Sequence, residues 1–369
     1  MFGAYPVNKI AREDIQSWVN RLTSAGKKPG TVRHAFFTVR MVLEQAVVDG
    51  RLATNPADHV KLPTEHSTKG GKPGVVDDPA QFLTPVQVSA LVAATPWPYD
   101  VMVHVAAWSG LRAAELAGLQ VGDVDLPDPP MNPNAPAKTG HLRVERAARA
   151  LGTDVEYLSP KSKGSYRRVP LMPATTALLR DYLAEHPRAD EPTSPLFPAM
   201  VLKAPRPTGV PVTTADGGAA KEGASAVRPS ATARARARRQ ATALAHLSVA
   251  DAEKRLMLDW TAPLRYPTFY KAVYRPAVLR ATRITPTAAL PAELKFHSLR
   301  HTYASLRVAA GIEPRKLSGR MGHANVRTTL DVYVHLFPDD DASEDMAALG
   351  AMAAGPKPRY GGNVVPLHG

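Results

Sequence analysis

A chain of 369 residues with 44% hydrophobic and 21% charged residues has the composition of a globular protein and the length to bury two cores. Its 46 basic residues against 33 acidic ones leave a net charge of +13, which points to a polyanionic partner, nucleic acid before anionic membrane. The absence of cysteine excludes disulfides, thiolate nucleophiles and thiolate metal sites, and with neither an apolar run of about 18 residues nor a signal-like start the sequence reads as a cytoplasmic, DNA-facing protein.

Residues 1–63 read as a small helical unit. Ile15, Trp18, Val19 and Leu22 fall at i, i+3, i+4 and i+7 and predict an amphipathic helix ending near Gly26. A longer helix is expected from Thr31, as N-cap, to Gly50, with Val32, Phe36, Val39, Leu43 and Val47 as its buried stripe. Arg33 and Arg40 fall off that stripe and are candidate DNA contacts, the plain alternative being a solvated face. Residues 64–80 lack periodicity and read as a flexible basic linker.

A second domain, 81–340, opens at Leu83-Thr84-Pro85, where Thr84 caps a helix carrying Pro85 at its first position. Helices are expected at 85–94 and 100–108. After a Pro-rich loop, segments 141–146, 154–158 and 166–171 predict three short strands, the last two joined by a turn over 159–165, and a helix follows at 174–185. Residues 203–245, rich in Ala, Gly, Pro and Arg, read as a low-complexity insertion, largely disordered. Residues 297–310 form an amphipathic pattern on Leu299, Tyr303, Leu306 and Ala310, and 341–369 predict a terminal helix and tail. The fold class is mainly α with a small antiparallel β-sheet.

Against this background a few polar residues recur at spacings that helix packing does not demand: Arg112 in Ser109-Gly110-Leu111-Arg112, His297 and Arg300 in His297-Ser298-Leu299-Arg300-His301, His323 after Met321-Gly322, and Tyr333. Cleaving a phosphodiester with a tyrosine needs these types. The phenol, with a pKa near 10, must lose its proton as it attacks, so a base or a strong cationic field must lie close. Two guanidinium forks suit the charged non-bridging oxygens. The departing oxygen needs a proton, which Lys161 or Lys163 can supply. Every role is filled without a metal or other cofactor. Singly, each residue has an ordinary structural explanation, Arg300 and His301 as a wet helix face and Tyr333 as a core tyrosine; together, on a basic chain, they point to function.

These boxes resemble those of the tyrosine recombinases, the phage-integrase branch in particular, over about residues 8–63 and 82–340. The resemblance implies that Tyr333 is the nucleophile forming a 3′-phosphotyrosine, Arg112 and Arg300 clamp the phosphate, and Lys161 is the general acid, with Lys163 the other alignment. It implies that His297 and His323 hydrogen-bond the phosphate, that His297 assists proton removal from Tyr333, and that Glu115 orients the site. Lys163 and Arg167, on the hairpin bearing the lysine, join Arg33 and Arg40 as expected DNA contacts. Residues 1–63 become a core-binding domain that clamps double-stranded attachment-site DNA with the catalytic domain. Strand exchange then runs in a homotetrameric synapse, with an excisionase and a host DNA-bending protein as candidate accessory partners and no membrane. The branch's arm-binding domain and first core-binding helix have no match before Met1, so an incomplete clamp is expected. A recombination-defective DNA-binding remnant, a Xer-like dimer resolvase and a type IB topoisomerase are the alternatives.

Overall fold

The computed structural model describes residues 5–63, 76, 78–128, 138–152, 154–159, 165–203 and 231–337. The chain divides into two compact units, Met1–Val75 and Val76–Gly369. In the first, α1 (Arg12–Ser24) packs against α2 (Pro29–Val48). α2 starts at Pro29 rather than after Thr31, because proline's fixed φ suits the first helical position. Ile15, Val19, Val32, Phe36, Leu43 and Ala57 are its core. Asn55 ties the following turn to α2: its Nδ2 donates to the Arg40 carbonyl (3.2 Å) and to Glu44 Oε2 (2.7 Å), while its Oδ1 accepts from Ala57 N (2.9 Å).

The second unit is mostly helical, with small antiparallel sheets. α3 (Pro85–Ala93) begins as its sequence demands: Thr84 Oγ1 accepts from Gln87 N, and Gln87 Oε1 accepts from Thr84 N. α4 (Tyr99–Ser109) is buried along nearly its whole length and packs against α3. Next come α5 (Ala113–Gly118), β1 (Val124–Asp125), β2 (His141–Val144), β3 (Ala147–Leu151), β4 (Asp154–Leu158), β5 (Arg167–Pro170), α6 (Pro173–Glu185) and β6 (Pro198–Leu202). The chain continues through α7 (Ala231–Ala245), α8 (Val249–Lys254), β7 (Leu256–Pro263), α9 (Tyr266–Phe269), α10 (Arg275–Ile284), α11 (Ser298–Ala309), α12 (Pro314–Met321) and α13 (Val326–Tyr333). The sheets run β1-β2-β5, β3-β4 and β6-β7. Among the described residues no helix is long and apolar enough to cross a membrane.

Two expectations change. β4 and β5 are not partners: β4 pairs with β3, a strand absent from the sequence reading, and β5 pairs with β2, Leu142 opposite Val169. Both residues are fully buried, so the pairing is fixed by burial across the sheet and not by the intervening turn. The second change concerns 203–245. Residues 231–245 are helical because alanine and arginine are strong helix formers. The turn residues 160–164, the segment 204–230, most of the expected linker and the expected C-terminal helix lie outside the described residues.

α7 is fastened to the body by Arg280 of α10, a fully buried guanidinium. Its Nη2 donates to the Leu244 carbonyl (2.8 Å), Nε to that of Leu247 (2.9 Å) and Nη1 to that of Ala94 after α3 (2.7 Å). Arg280→Met fits the space but removes three donors from buried carbonyls, each worth about 1–3 kcal/mol. The chemical-denaturation midpoint should fall by the equivalent of about 3 kcal/mol or more; an unchanged midpoint would show that water replaces the guanidinium.

Candidate active site

The site is assembled at helix ends. α4 stops at Gly110 in the left-handed region (φ 67°), and a Cβ there would lie 2.4 Å from Cδ1 of Tyr303, so both conformation and space require glycine. The chain then places Arg112 as the N-cap of α5. Glu115, one turn on and buried, receives four donors. Oε1 accepts from Arg112 Nη1 (2.9 Å) and Arg167 Nη1 (3.0 Å), and Oε2 from Arg112 N (2.7 Å) and Arg167 Nη2 (2.9 Å). Burial alone would raise this carboxyl, but the hydrogen bonds and charges of Arg167 and then Arg112 outweigh it and hold it below the ordinary glutamate value.

Three guanidiniums meet the C-terminal end of α12. Arg167 Nε donates to the Arg320 carbonyl (2.9 Å), Arg300 Nη2 to that of Met321 (2.7 Å) and Arg112 Nη2 to that of Gly322 (3.1 Å). Arg300 Nη1 also donates to the Gly110 carbonyl. Arg300 is 3% exposed, and burial followed by the charge of Arg112 pushes its pKa down to about 10, leaving it cationic at neutral pH. Beside this frame a cleft of about 620 Å³ is lined by Arg112, Glu115, Arg146, Arg149, Ser159 and Gly322. Three arginines against one carboxylate leave a surplus of positive charge suited to a phosphodiester.

Tyr333, the last residue of α13, is 2% exposed, and its hydroxyl lies 2.8 Å from His301 Nδ1. Burial pushes the phenol up to about 12, with Arg300 working in the opposite direction. His301 is pushed down to about 4 by burial, His297 and Arg300, and its ring meets that of His297 edge-on at 4.8 Å. His323 falls to about 4 through burial, Arg300, Arg112 and Arg167, and its Nδ1 pairs with the Thr329 hydroxyl at 2.8 Å. Both imidazoles are neutral at pH 7.

Arg112, Glu115, Arg300, His323 and Tyr333 thus lie on elements that converge on one region. His297 stands at the start of α11 with its side chain exposed and its pKa lowered by partial desolvation, Arg300 and Arg112. The imidazole that meets Tyr333 is His301 and not His297, because His301 lies one turn further along α11, where α13 brings the tyrosine. Periodicity had placed His301 on a wet face; its i, i+4 relation to His297 was the available signal. Arg167 is likewise no surface contact: its side chain is 7% exposed and locked to Glu115. Arg300, far from a wet face, is core. Lys161 and Lys163 lie outside the described residues. Arg33 and Arg40 belong to the first unit, Arg33 half-buried and Arg40 exposed in an ion pair with Asp58 at 3.0 Å.

Residues 257–339, which carry α11, α12 and α13, match the phage integrase family. That stretch includes His297, Arg300, His301, His323 and Tyr333. The chain is 25% identical to an integrase of Mycobacterium phage D29 over 193 residues, 52% of this chain and 45% of that protein. It is 24% identical to a putative prophage phiRv2 integrase of Mycobacterium tuberculosis over 225 residues, 57% of this chain and 54% of that one. The chain therefore spans about half the length of these relatives. In fold it resembles the Tn1549 transposon integrase in complex with transposon right end DNA, at 17% identity and a TM-score of 0.54, covering 95% of this chain and 88% of that one.

The neutral histidines give the site a pH signature. His301 and His323 have folded pKa values near 4, below the ordinary 6.5, so the unfolded chain takes up their protons first as pH falls. The stability they contribute is present above pH 6.5, is lost between 6.5 and 4, and is gone below that. Urea midpoints measured across this range should decline with acid, and His301→Asn and His323→Asn should each flatten the decline. Parallel curves for both variants would contradict the assignment.

Proposed function

We propose that this chain is a site-specific DNA recombinase that cleaves and rejoins strands through a 3′-phosphotyrosine, integrating or excising phage or mobile-element DNA. The observation that carries the reading is the Tyr333 hydroxyl on a neutral imidazole and within reach of the Arg300 charge. With Nδ1 unprotonated, the phenol donates to His301, which takes the proton as the phenolic oxygen attacks phosphorus. The new oxygen–phosphorus bond forms as the bond to the 5′ oxygen breaks, and that oxygen collects a proton from the general acid, the role the family resemblance gives to Lys161 or Lys163. Arg300 and Arg112 face the charge that grows on the non-bridging oxygens, and the His323 ring offers a further hydrogen bond. Energy kept in the phosphotyrosine lets a partner strand's 5′ hydroxyl reverse the step without a nucleotide cofactor. Double-stranded attachment sites, a homotetrameric synapse, accessory excision and DNA-bending proteins and a cytoplasmic setting belong to the same proposal.

Covalent capture on nicked suicide duplexes, drawn as a pool from DNA flanking the gene and resolved on a denaturing gel, tests it. Wild type should give a shifted protein–DNA band and Tyr333→Phe none. A band that survives in Tyr333→Phe would sink the proposal. So would no band from wild type that binds the duplexes, which would favour the DNA-binding remnant.

His301→Asn keeps a hydrogen-bond acceptor but no base. It should slow capture about a hundredfold at saturating DNA with duplex affinity unchanged. Capture at the wild-type rate would show that the ring is not the base.

A further inference from the structure

The first two-thirds of α7, Ala231 to Gln240, is exposed on every side, whereas Ala241, Leu244 and Ala245 in its last turns are buried. A helical stretch with no apolar face gains nothing from packing, and short solvated helices are marginal in water. This one is held from its far end. Arg280 donates to the carbonyls of Leu244 and Leu247, and Arg283 to that of Ala245 (3.1 Å), so two guanidiniums cap the negative end of the helix dipole. The result is a cantilever of about 15 Å, ten residues at 1.5 Å each.

The projecting part carries Arg234, Arg236, Arg238 and Arg239, set among Ala231, Ala233, Ala235 and Ala237, and α7 contains no acidic residue. Arg236, Arg238 and Arg239 form no ion pair among the described residues. At about 100° per residue, Arg234 and Arg238 share one side, while Arg236 and Arg239 lie roughly 150° round the axis. Two guanidinium rows flanking a slender alanine helix match a groove with a phosphate wall on each side. The major groove of duplex DNA, about 12 Å wide, admits such a helix.

We propose that α7 is a second DNA-contacting element that seats in a groove of duplex outside the cleaved step and grips its phosphate walls without reading sequence. This rests on the recombinase reading for the presence of duplex DNA, not for the phosphotyrosine chemistry.

The test uses the full chain with Arg236→Ala, Arg238→Ala and Arg239→Ala combined, since alanine preserves helix propensity. Binding to a long duplex of unrelated sequence is followed against salt. The slope of log affinity on log salt should become shallower by about 0.9 per lost phosphate contact, so by about 2.7 for three. Affinity at physiological salt should fall at least about tenfold. The unfolding midpoint and capture rate at saturating suicide duplex should stay at wild-type values, and lysine at the three positions should restore the slope. A slope equal to wild type overturns the proposal while leaving the recombinase reading intact. Wild type that binds no duplex at any salt overturns both. Arginine-dependent capture of anionic vesicles or polyglutamate, with the duplex slope unchanged, would assign α7 to another polyanion.

Discussion

Three consecutive carbonyls at the end of α12, those of Arg320, Met321 and Gly322, hold Arg167, Arg300 and Arg112 in that order. A helix C-terminus offers unsatisfied carbonyls and the negative end of the dipole, so it is where cations can be buried at least cost. The comb sets guanidiniums from three separate elements in one array. It depends on Gly322, whose φ of 66° ends the helix and whose missing Cβ leaves room for Arg167: a Cβ would lie 2.6 Å from Nη1. Glu115 closes the array from the opposite side and keeps Arg112 and Arg167 from repelling each other. Among the described residues Arg300 forms no ion pair of its own, and its guanidinium is held by the carbonyls of Gly110 and Met321.

What could be read from the sequence was local. Thr84-Pro85 announced α3 because capping is completed within four residues, and the spacing of Ile15, Val19 and Leu22 located α1. What failed was non-local. Pairing β4 with β5 looked natural because a turn joins them, but β5 instead buries Val169 against Leu142 of β2. Arg167 is basic and near a turn, hence a surface cation until Glu115, 52 positions away, draws it in. His301 was hidden in the same way, since nothing near it in sequence reveals that Tyr333 will arrive 32 positions later. The misreading of α7 has a different origin. Compositional bias suggested disorder, yet the biased residues here are ones that favour helix, and Arg280, which anchors it, lies far along the chain.

In the proposed phosphotyrosine reaction, the electrostatics of the site make the chemistry depend on its own substrate. A phenol with a pKa near 12 leaves only about one part in 10⁵ ionised at pH 7. An imidazole near 4 is a poor base for it. With the cleft empty, proton transfer from Tyr333 to His301 is therefore uphill, and the tyrosine stays a buried, unreactive phenol. The causes of the histidine shift include the charge of Arg300. A phosphodiester seated against Arg300 and Arg112 offsets that charge, so His301 and His323 regain basicity while the substrate is present. As the transition state gathers further negative charge, a proton on His301 becomes more favourable still. In that reaction the base is strongest as the phenolic oxygen attacks, whereas without the phosphate burial, helped by His297 and Arg300, keeps the imidazole weak and burial keeps the phenol protonated.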